Sequence, residues 1–385
     1  MQEAGTYSEP TYKAATVVAV AVSSHFNRHI EEALSAGEQD VATIPSPQTI
    51  EAIVDAGFWT SLRKEEGHSP RISIAYLPPK KADKSVVFGR RIPLEPRQLT
   101  KLAPGIERAG IHLGVWQDEQ GLFAWGTTKK LPGFCFVLEM VEPGLLVIKH
   151  RRYSGFGKFV NVAVLNGEDI KIVDENSGTM PDCPALLSSL LDFDSNTPWN
   201  GSVNVLIQFA TSMRAHKRGG TLLVVPSSNQ NWWESIIHPV TYPVSPEFSG
   251  LAELMKRSAD EKEQASWIVD LNKEVDSLAG LTAIDGATIL NEKYELLAFG
   301  TKIHRSQHSE QIEVVMLTEP IVGNQALILH PTKIGGTRHL SAAQFVYDQR
   351  DALALVASQD GRFTVFGWSP CDGMVHAHRI ESLLL

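Results

Sequence analysis

The sequence has little cysteine and no excess of positive charge. Three cysteines occur in 385 residues, at Cys135, Cys183 and Cys371, and their spacing matches no metal-binding motif. The 35 lysines and arginines are outnumbered by 44 aspartates and glutamates, which gives a formal net charge of -9. Proteins dedicated to nucleic acid usually carry a basic excess, so the charge argues against a specific nucleic-acid partner. Scarce cysteine favours a reducing, cytoplasmic location over a disulfide-stapled secreted fold.

Long hydrophobic runs are also missing. The longest early run, AATVVAVAV from Ala14 to Val22, has nine residues, whereas a membrane-spanning helix needs about 20. No basic segment or small-residue cleavage site frames it as a signal peptide. Its β-branched content predicts a buried strand. We therefore expect a protein without a membrane partner.

The motifs of several common enzyme classes do not occur. The sequence contains no GxxxxGK[ST], no GxSxG and no HExxH, so the usual nucleotide hydrolase, lipase and metalloprotease sites are excluded. DFDSNT (192–197) lacks the glycine and glutamate of a calcium loop and predicts an Asx-rich turn. His376 and His378, two residues apart, are predicted to lie on one side of a solvated edge strand rather than to bind a metal. HRRYSGFGK (150–158) is predicted to form the tip of a hairpin.

Composition and periodicity predict two domains of mixed class. Hydrophobic residues make up 43% and charged residues 21% of the chain, as in ordinary globular proteins. Residues 1–195 show two helical patterns followed by short strands with turn signals, which predicts a mostly antiparallel sheet with helices. In residues 196–385 helices and strands interleave, which predicts a mixed sheet flanked by helices, with a helical insertion at about 248–281. The fold class is therefore α/β (α+β).

Three short segments of the second half carry groups suited to phosphate chemistry. The first is DGA, which is Asp285, Gly286 and Ala287. The second is GGTRH (335–339), followed by Ser341 at a helix start, where backbone N–H groups and an arginine suit phosphate oxygens. The third is SQDG (358–361), which supplies a second carboxylate, Asp360. An anion cradle with two carboxylates is what metal-assisted phosphoryl chemistry requires.

The order of these segments resembles the diadenylate cyclase (DAC) domain family. That family has a DGA strand, a GTRH-type turn that opens a helix, and a later strand ending in two acids. Here the corresponding stretches are IDGATIL, GGTRHLSAA, RDALALVAS and SQDGRFTVF, and FATSMRAHKRGGTLLVV resembles the family's opening helix and strand. The resemblance covers roughly residues 196–385. The first half is similar to the N-terminal region of DAC-related proteins described as probable sensors.

The resemblance implies an enzyme that condenses two ATP into cyclic di-AMP and releases pyrophosphate. Asp285, Arg338 and His339 would be catalytic, and Asp285 and Asp360 would hold Mg²⁺ or Mn²⁺. The ATP-binding residues implied are Gly286, Ala287, Gly335, Gly336, Thr337, Arg338, His339 and Ser341. Because each site holds one nucleotide, the resemblance also implies a homo-oligomer with facing sites.

Two departures from the family pattern keep an alternative open. The position of a second arginine after the histidine is Leu340, and the two acids of the strand end are Gln359 and Asp360. These changes favour a degenerate DAC-like domain that binds ATP or a cyclic dinucleotide as a sensor without turning it over. The sequence alone does not separate the cyclase from the sensor.

Overall fold

The structure is a computed structural model that describes residues 11–35, 37–38, 41–82, 85–119, 121–151, 159–173, 204–228, 230–262 and 264–385. The chain divides into two compact units, residues 1–174 with residue 385, and residues 175–384. The boundary predicted between residues 195 and 196 and the DFDSNT segment lie outside the described residues. The predicted mixed class is confirmed, since each unit contains a multi-stranded sheet and helices.

The first unit is built on an eight-stranded sheet. Its helices are α1 (Lys13–Ser35), α2 (Pro47–Ser61) and α3 (Pro96–Ile106). Its strands are β1 (Ser73–Tyr76), β2 (Val86–Pro93), β3 (His112–Asp118), β4 (Gly121–Thr128), β5 (Phe136–Glu142), β6 (Leu145–Arg151), β7 (Phe159–Asn166) and β8 (Asp169–Ile172). They lie in the order β2-β4-β3-β1-β5-β6-β7-β8. β1 pairs with β3 in parallel and with β5 in antiparallel orientation, and the other pairs are antiparallel, as predicted.

The strand predicted from Ala14 to Val22 is wrong, because these residues belong to helix α1. The buried positions recur every three or four residues, at Ala14, Ala15, Val18, Ala19, Val22, Phe26, Ile30 and Ala33. The β-branched residues between them, Val17 and Val20, are 67% and 63% exposed. β-Branched content therefore misled the prediction, and the helical period extends well beyond the nine-residue window.

The second unit is built on a nine-stranded mixed sheet. Its helices are α4 (Val205–Ala215), α5 (Gly250–Met255), α6 (Ala259–Lys262), α7 (Ala265–Leu281) and α8 (Thr337–Asp348). Its strands are β9 (Gly220–Val225), β10 (Tyr242–Phe248), β11 (Ala287–Asn291), β12 (Leu296–Thr301), β13 (Val315–Thr318), β14 (Leu327–Leu329), β15 (Leu353–Ala357), β16 (Phe363–Ser369) and β17 (Met374–Arg379). They lie in the order β10-β12-β11-β9-β15-β16-β17-β13-β14, with β9–β11 and β13–β17 parallel.

Central strand β9 divides the core of this unit between the two faces of the sheet. Leu222 and Val224 pack with residues of α4 and α7 on one face, and Leu223 and Val225 pack with residues of α8 on the other. Because side chains alternate along a strand, this run of apolar residues serves both cores. Helix α8 is thereby held on the face opposite α4 and α7.

The helical insertion predicted at about 248–281 contains three helices. The structure divides this stretch into α5, α6 and α7. Ser258 starts a new helix, since its hydroxyl accepts a hydrogen bond from the N–H of Glu261 and donates one to that residue's carboxylate. A serine in this position caps a helix N-terminus.

His376 and His378 are buried, and the prediction that they lie on a solvated edge is wrong. Strand β17 lies between β16 and β13, and both histidines are at most 1% exposed. They share one side of the strand, as predicted, with their rings 5.7 Å apart. Thr318 is hydrogen-bonded to His378 Nδ1 at 2.7 Å, and the Asp372 carboxylate lies 2.8 Å from His376 Nε2.

Two further expectations concern the cysteines and the membrane. Cys135 is a free, buried thiol, and Cys371 is disulfide-bonded, whereas the scarcity of cysteine had favoured a reducing location over a disulfide-stapled fold. Within the described part of the chain, no helix has the length and apolar character needed to cross a membrane.

Candidate functional site

The sheet register brings two of the three predicted segments to one edge of the second unit's sheet. Gly220 at the start of β9 pairs with Ala357 at the end of β15, and Thr221 pairs with Ala287 at the start of β11. Asp285 and Gly286 precede β11, and the SQDG segment follows β15. Because β11 and β9 begin where β15 ends, both segments lie at the same edge.

The third segment completes a cleft at this edge. The cleft has a volume of about 360 Å³ and is lined by Ile334, Gly335, Gly336, Thr337, Arg338, His339, Ala357, Ser358, Gln359, Asp360 and Arg362. It therefore joins the first turn of α8 to the turn between β15 and β16. Asp285, Gly286, Ala287 and Ser341 are not among its lining residues.

The N-terminus of α8 is arranged to favour an anion. Gly336 is the N-cap residue, and the helix has neither a side-chain cap there nor an acidic residue in its first turn. A methyl group on Gly336 would contact nothing within 4 Å, so this side of the turn is open. Arg338 lies in the first turn, where the helix dipole disfavours a cation. The uncapped helix start and the guanidinium of Arg338 both raise the positive electrostatic potential at the cleft.

Arg338 is held over the start of β9. A methyl group on Gly219 would lie 2.9 Å from Arg338 Nη1 and 3.2 Å from the carbonyl oxygen of Ala357. Any side chain at Gly219 would therefore displace the guanidinium. Helix α4 ends at Ala215, and the next left-handed residue is Lys217, with φ 54°. Gly219 makes room for Arg338.

His339 faces the protein interior. It is 2% exposed, its Nε2 lies 3.4 Å from the Thr364 hydroxyl, and a methyl group on Gly335 would collide with its ring. Burial lowers the pKa of His339 to about 4, Arg379 adds to this shift, and Asp360 acts in the opposite direction. The ring is therefore neutral at pH 7 and anchors the first turn of α8 to β16.

The buried histidines predict acid sensitivity of the second unit. Burial lowers the pKa of His339 from 6.5 to about 4, and that of His378 from 6.5 to about 3. The unfolded chain then binds more protons below pH 6.5, so stability falls as the pH drops from 6.5 towards 4, by up to ~1.4 kcal/mol per pH unit for each histidine. Denaturant unfolding at several pH values measures this slope. His339→Gln should make it shallower, and an unchanged slope would contradict the assignment.

Asp285 lies outside the cleft and is bound by a lysine. Its carboxylate accepts a hydrogen bond from Lys302 and forms an ion pair with it. Lys302 is the main cause of the lowered pKa of Asp285, with a smaller contribution from Arg338. The charge of Arg338 therefore acts on both Asp285 and the cleft.

The turn between β15 and β16 is held by basic residues. Asp360 lies 3.4 Å from Arg362 Nε, and Gln359 Nε2 lies 3.5 Å from the carbonyl oxygen of Arg218. Arg214 donates from Nε to the carbonyl oxygen of Gly361 at 3.0 Å. The predicted second carboxylate thus has a cationic partner of its own.

The two carboxylates predicted to hold Mg²⁺ or Mn²⁺ both have cationic partners. Magnesium is held by carboxylates and water in an octahedron, but Asp285 is paired with Lys302 and Asp360 with Arg362. Across the described ranges, no group of three or more histidine, cysteine, aspartate or glutamate side chains is placed to hold a metal. The cations near Asp285 repel a divalent ion and attract an anion.

The remaining predicted residues have mainly structural surroundings. Ala287 is buried within β11. Leu340, at the position of the family's second arginine, packs against the core beneath α8. Ser341 is partly buried one turn further along α8.

Three residues of the site were missed from the sequence, namely Gly219, Lys302 and Arg362. Gly219 lies directly before β9, and Arg362 lies directly after the SQDG segment. Lys302 is 17 residues from Asp285 and meets it through pairing of β11 with β12. The hairpin pattern was visible in the sequence, but its register, which decides this contact, was not.

One family model matches the chain. Residues 39–129 are similar to the family described as probable sensor domain DACNV. No curated protein matches the chain. The match lies within the first unit and supports the resemblance of this half to the DAC-related sensor-domain group. It does not reach the residues that resemble the diadenylate cyclase domain.

Proposed function

We propose that the second unit is a nucleotide-binding sensor module, which holds the phosphate groups of ATP or a cyclic dinucleotide without turning them over. The observation that carries this proposal is the position of Arg338. Its guanidinium lies beside the uncapped first turn of α8, in a cleft open to solvent. Backbone N–H groups at a helix start, together with an arginine, bind phosphate oxygens well.

Two other observations favour binding over catalysis. Asp285, the carboxylate implied to hold the catalytic metal, is paired with Lys302. His339 is neutral and buried against Thr364, so it contributes no positive charge at pH 7. The similarity of residues 39–129 to a probable sensor domain agrees with a sensory role for the whole chain.

The diadenylate cyclase is the second candidate, and the sheet register favours it. The DGA segment and the SQDG turn lie at one edge, beside the GGTRH turn, as a nucleotidyl transfer site would need. A cyclase also needs two protomers with facing sites, because each ATP supplies the nucleophile for the other. We propose that any such dimer is weak or ligand-dependent, which sedimentation with and without an ATP analogue would measure.

Incubation with ATP should yield no cyclic di-AMP, whichever divalent metal is added. Calorimetry should nevertheless detect binding of ATP or of cyclic di-AMP to the purified full chain. The two measurements, product analysis by mass spectrometry and titration calorimetry, separate the candidates. Cyclic di-AMP formation that is lost in Asp285→Asn would establish the cyclase. The absence of binding by either nucleotide would refute the sensor.

A further inference from the structure

Asp285 and Lys302 form an ion pair whose backbone on both sides is fixed. Ala287 pairs with Thr301 across the β11–β12 ladder, which places Gly286 opposite Lys302. A methyl group on Gly286 would lie 2.5 Å from the carbonyl carbon of Gly300, so the two strands approach each other closely here. The pair therefore follows from strand register, although its side chains are exposed.

The charges around this pair are unbalanced in favour of cations. Asp285 faces Lys302 and, at longer range, Arg338. Asp360, the other predicted metal ligand, faces Arg362. Three cations thus accompany two carboxylates. A divalent ion would have to displace a resident cation at each carboxylate and would be repelled by the third.

We propose that Lys302 takes the place of a divalent cation at this site, so that the phosphate-bearing ligand binds without Mg²⁺ or Mn²⁺. The inference rests on the proposed function. An ammonium group is a compact point charge that neutralises phosphate oxygens much as a metal ion does. Asp285 then holds Lys302 at the edge of the site.

Titration calorimetry of the full chain tests this proposal. The ligand is whichever of ATP and cyclic di-AMP binds more tightly, and it is titrated first in EDTA and then in millimolar Mg²⁺. We expect dissociation constants within about threefold of each other. Lys302→Met should weaken binding in EDTA roughly tenfold, by loss of a charge-assisted contact. Lys302→Arg, which keeps the charge, should restore most of the affinity. Lys273→Met, at an exposed lysine of α7, is the control and should change nothing.

The possible results of these titrations distinguish the role of Lys302 from the proposed function. Binding that requires Mg²⁺ or Mn²⁺ would overturn the role of Lys302 and leave the proposed sensor intact. Unchanged affinity in Lys302→Met would also overturn it. The absence of binding in both conditions would refute the proposed function itself. Exposed ion pairs contribute little to stability, so Lys302→Met should keep the wild-type melting temperature, and circular dichroism checks this.

Discussion

Replacement of Arg338 by alanine is expected to weaken nucleotide binding by roughly ten- to a hundredfold. A charge-assisted hydrogen bond to phosphate contributes about 1.5–3 kcal/mol, and this substitution removes it together with the charge. The guanidinium lies next to Gly219 and lines the cleft. Arg338→Lys should give an intermediate loss, because the ammonium keeps the charge without the planar fork. Titration calorimetry with ATP and with cyclic di-AMP measures both variants.

The matched control is Arg350→Ala. Arg350 lies just beyond the other end of α8 and stacks on Trp368 at 4.0 Å, away from the cleft lining. Its removal should leave the dissociation constant unchanged. If Arg338→Ala also binds with wild-type affinity, the GGTRH turn is not a phosphate site and the proposed function fails.

Gly286→Ala is expected to destabilise the second unit by about 2–6 kcal/mol. Gly286 has φ 112°, a conformation that side chains rarely adopt, and an added methyl group would meet the backbone of Gly300 at 2.5 Å. Backbone strain of this kind costs about 1–3 kcal/mol, and overpacking against a backbone that cannot rotate away adds about 1–3 kcal/mol. Denaturant unfolding, followed by a probe of the second unit, measures the loss.

Gly323→Ala separates the contribution of backbone strain from that of the steric contact. Gly323 also has positive φ, 77°, but nothing lies within 4 Å of the methyl group it would gain. Its loss should be limited to the strain of a left-handed residue, about 1–2 kcal/mol. Equal losses in the two variants would show that contact with Gly300 does not restrict position 286.

Much of the second unit could be predicted because local patterns decide it. The apolar run of β9, the β15–β16 hairpin and the helix after GGTRH all follow from periodicity and turn residues, and the structure contains each of them. The predicted carboxylates and glycines of DGA and SQDG also lie at one sheet edge. Family resemblance supplied this grouping, since spacing along the chain does not show which strands are neighbours.

The features that could not be predicted depend on contacts between residues that are distant in the sequence. Whether Asp285 faces a metal or an ammonium group is decided by the β11–β12 register, which a hairpin pattern leaves open. His376 and His378 are buried because β13 pairs with β17. Thr318 of β13 is hydrogen-bonded to His378, which lies 60 residues later in the sequence. In α1, by contrast, local β-branched content pointed to the wrong element, and packing of the helix face prevailed.

The residues that line the cleft lie close together in the sequence, between Ile334 and Arg362, but Gln359 among them contacts a carbonyl group 141 residues earlier. Contacts of such high sequence separation form late in folding, because a long loop must close before they gain any energy. The cleft is therefore complete only when β9 has paired with β15. An anion bound there would bind the complete unit and none of its partly folded forms. Occupancy would thus suppress local opening along the whole sheet edge and couple the lifetime of the fold to the concentration of the ligand.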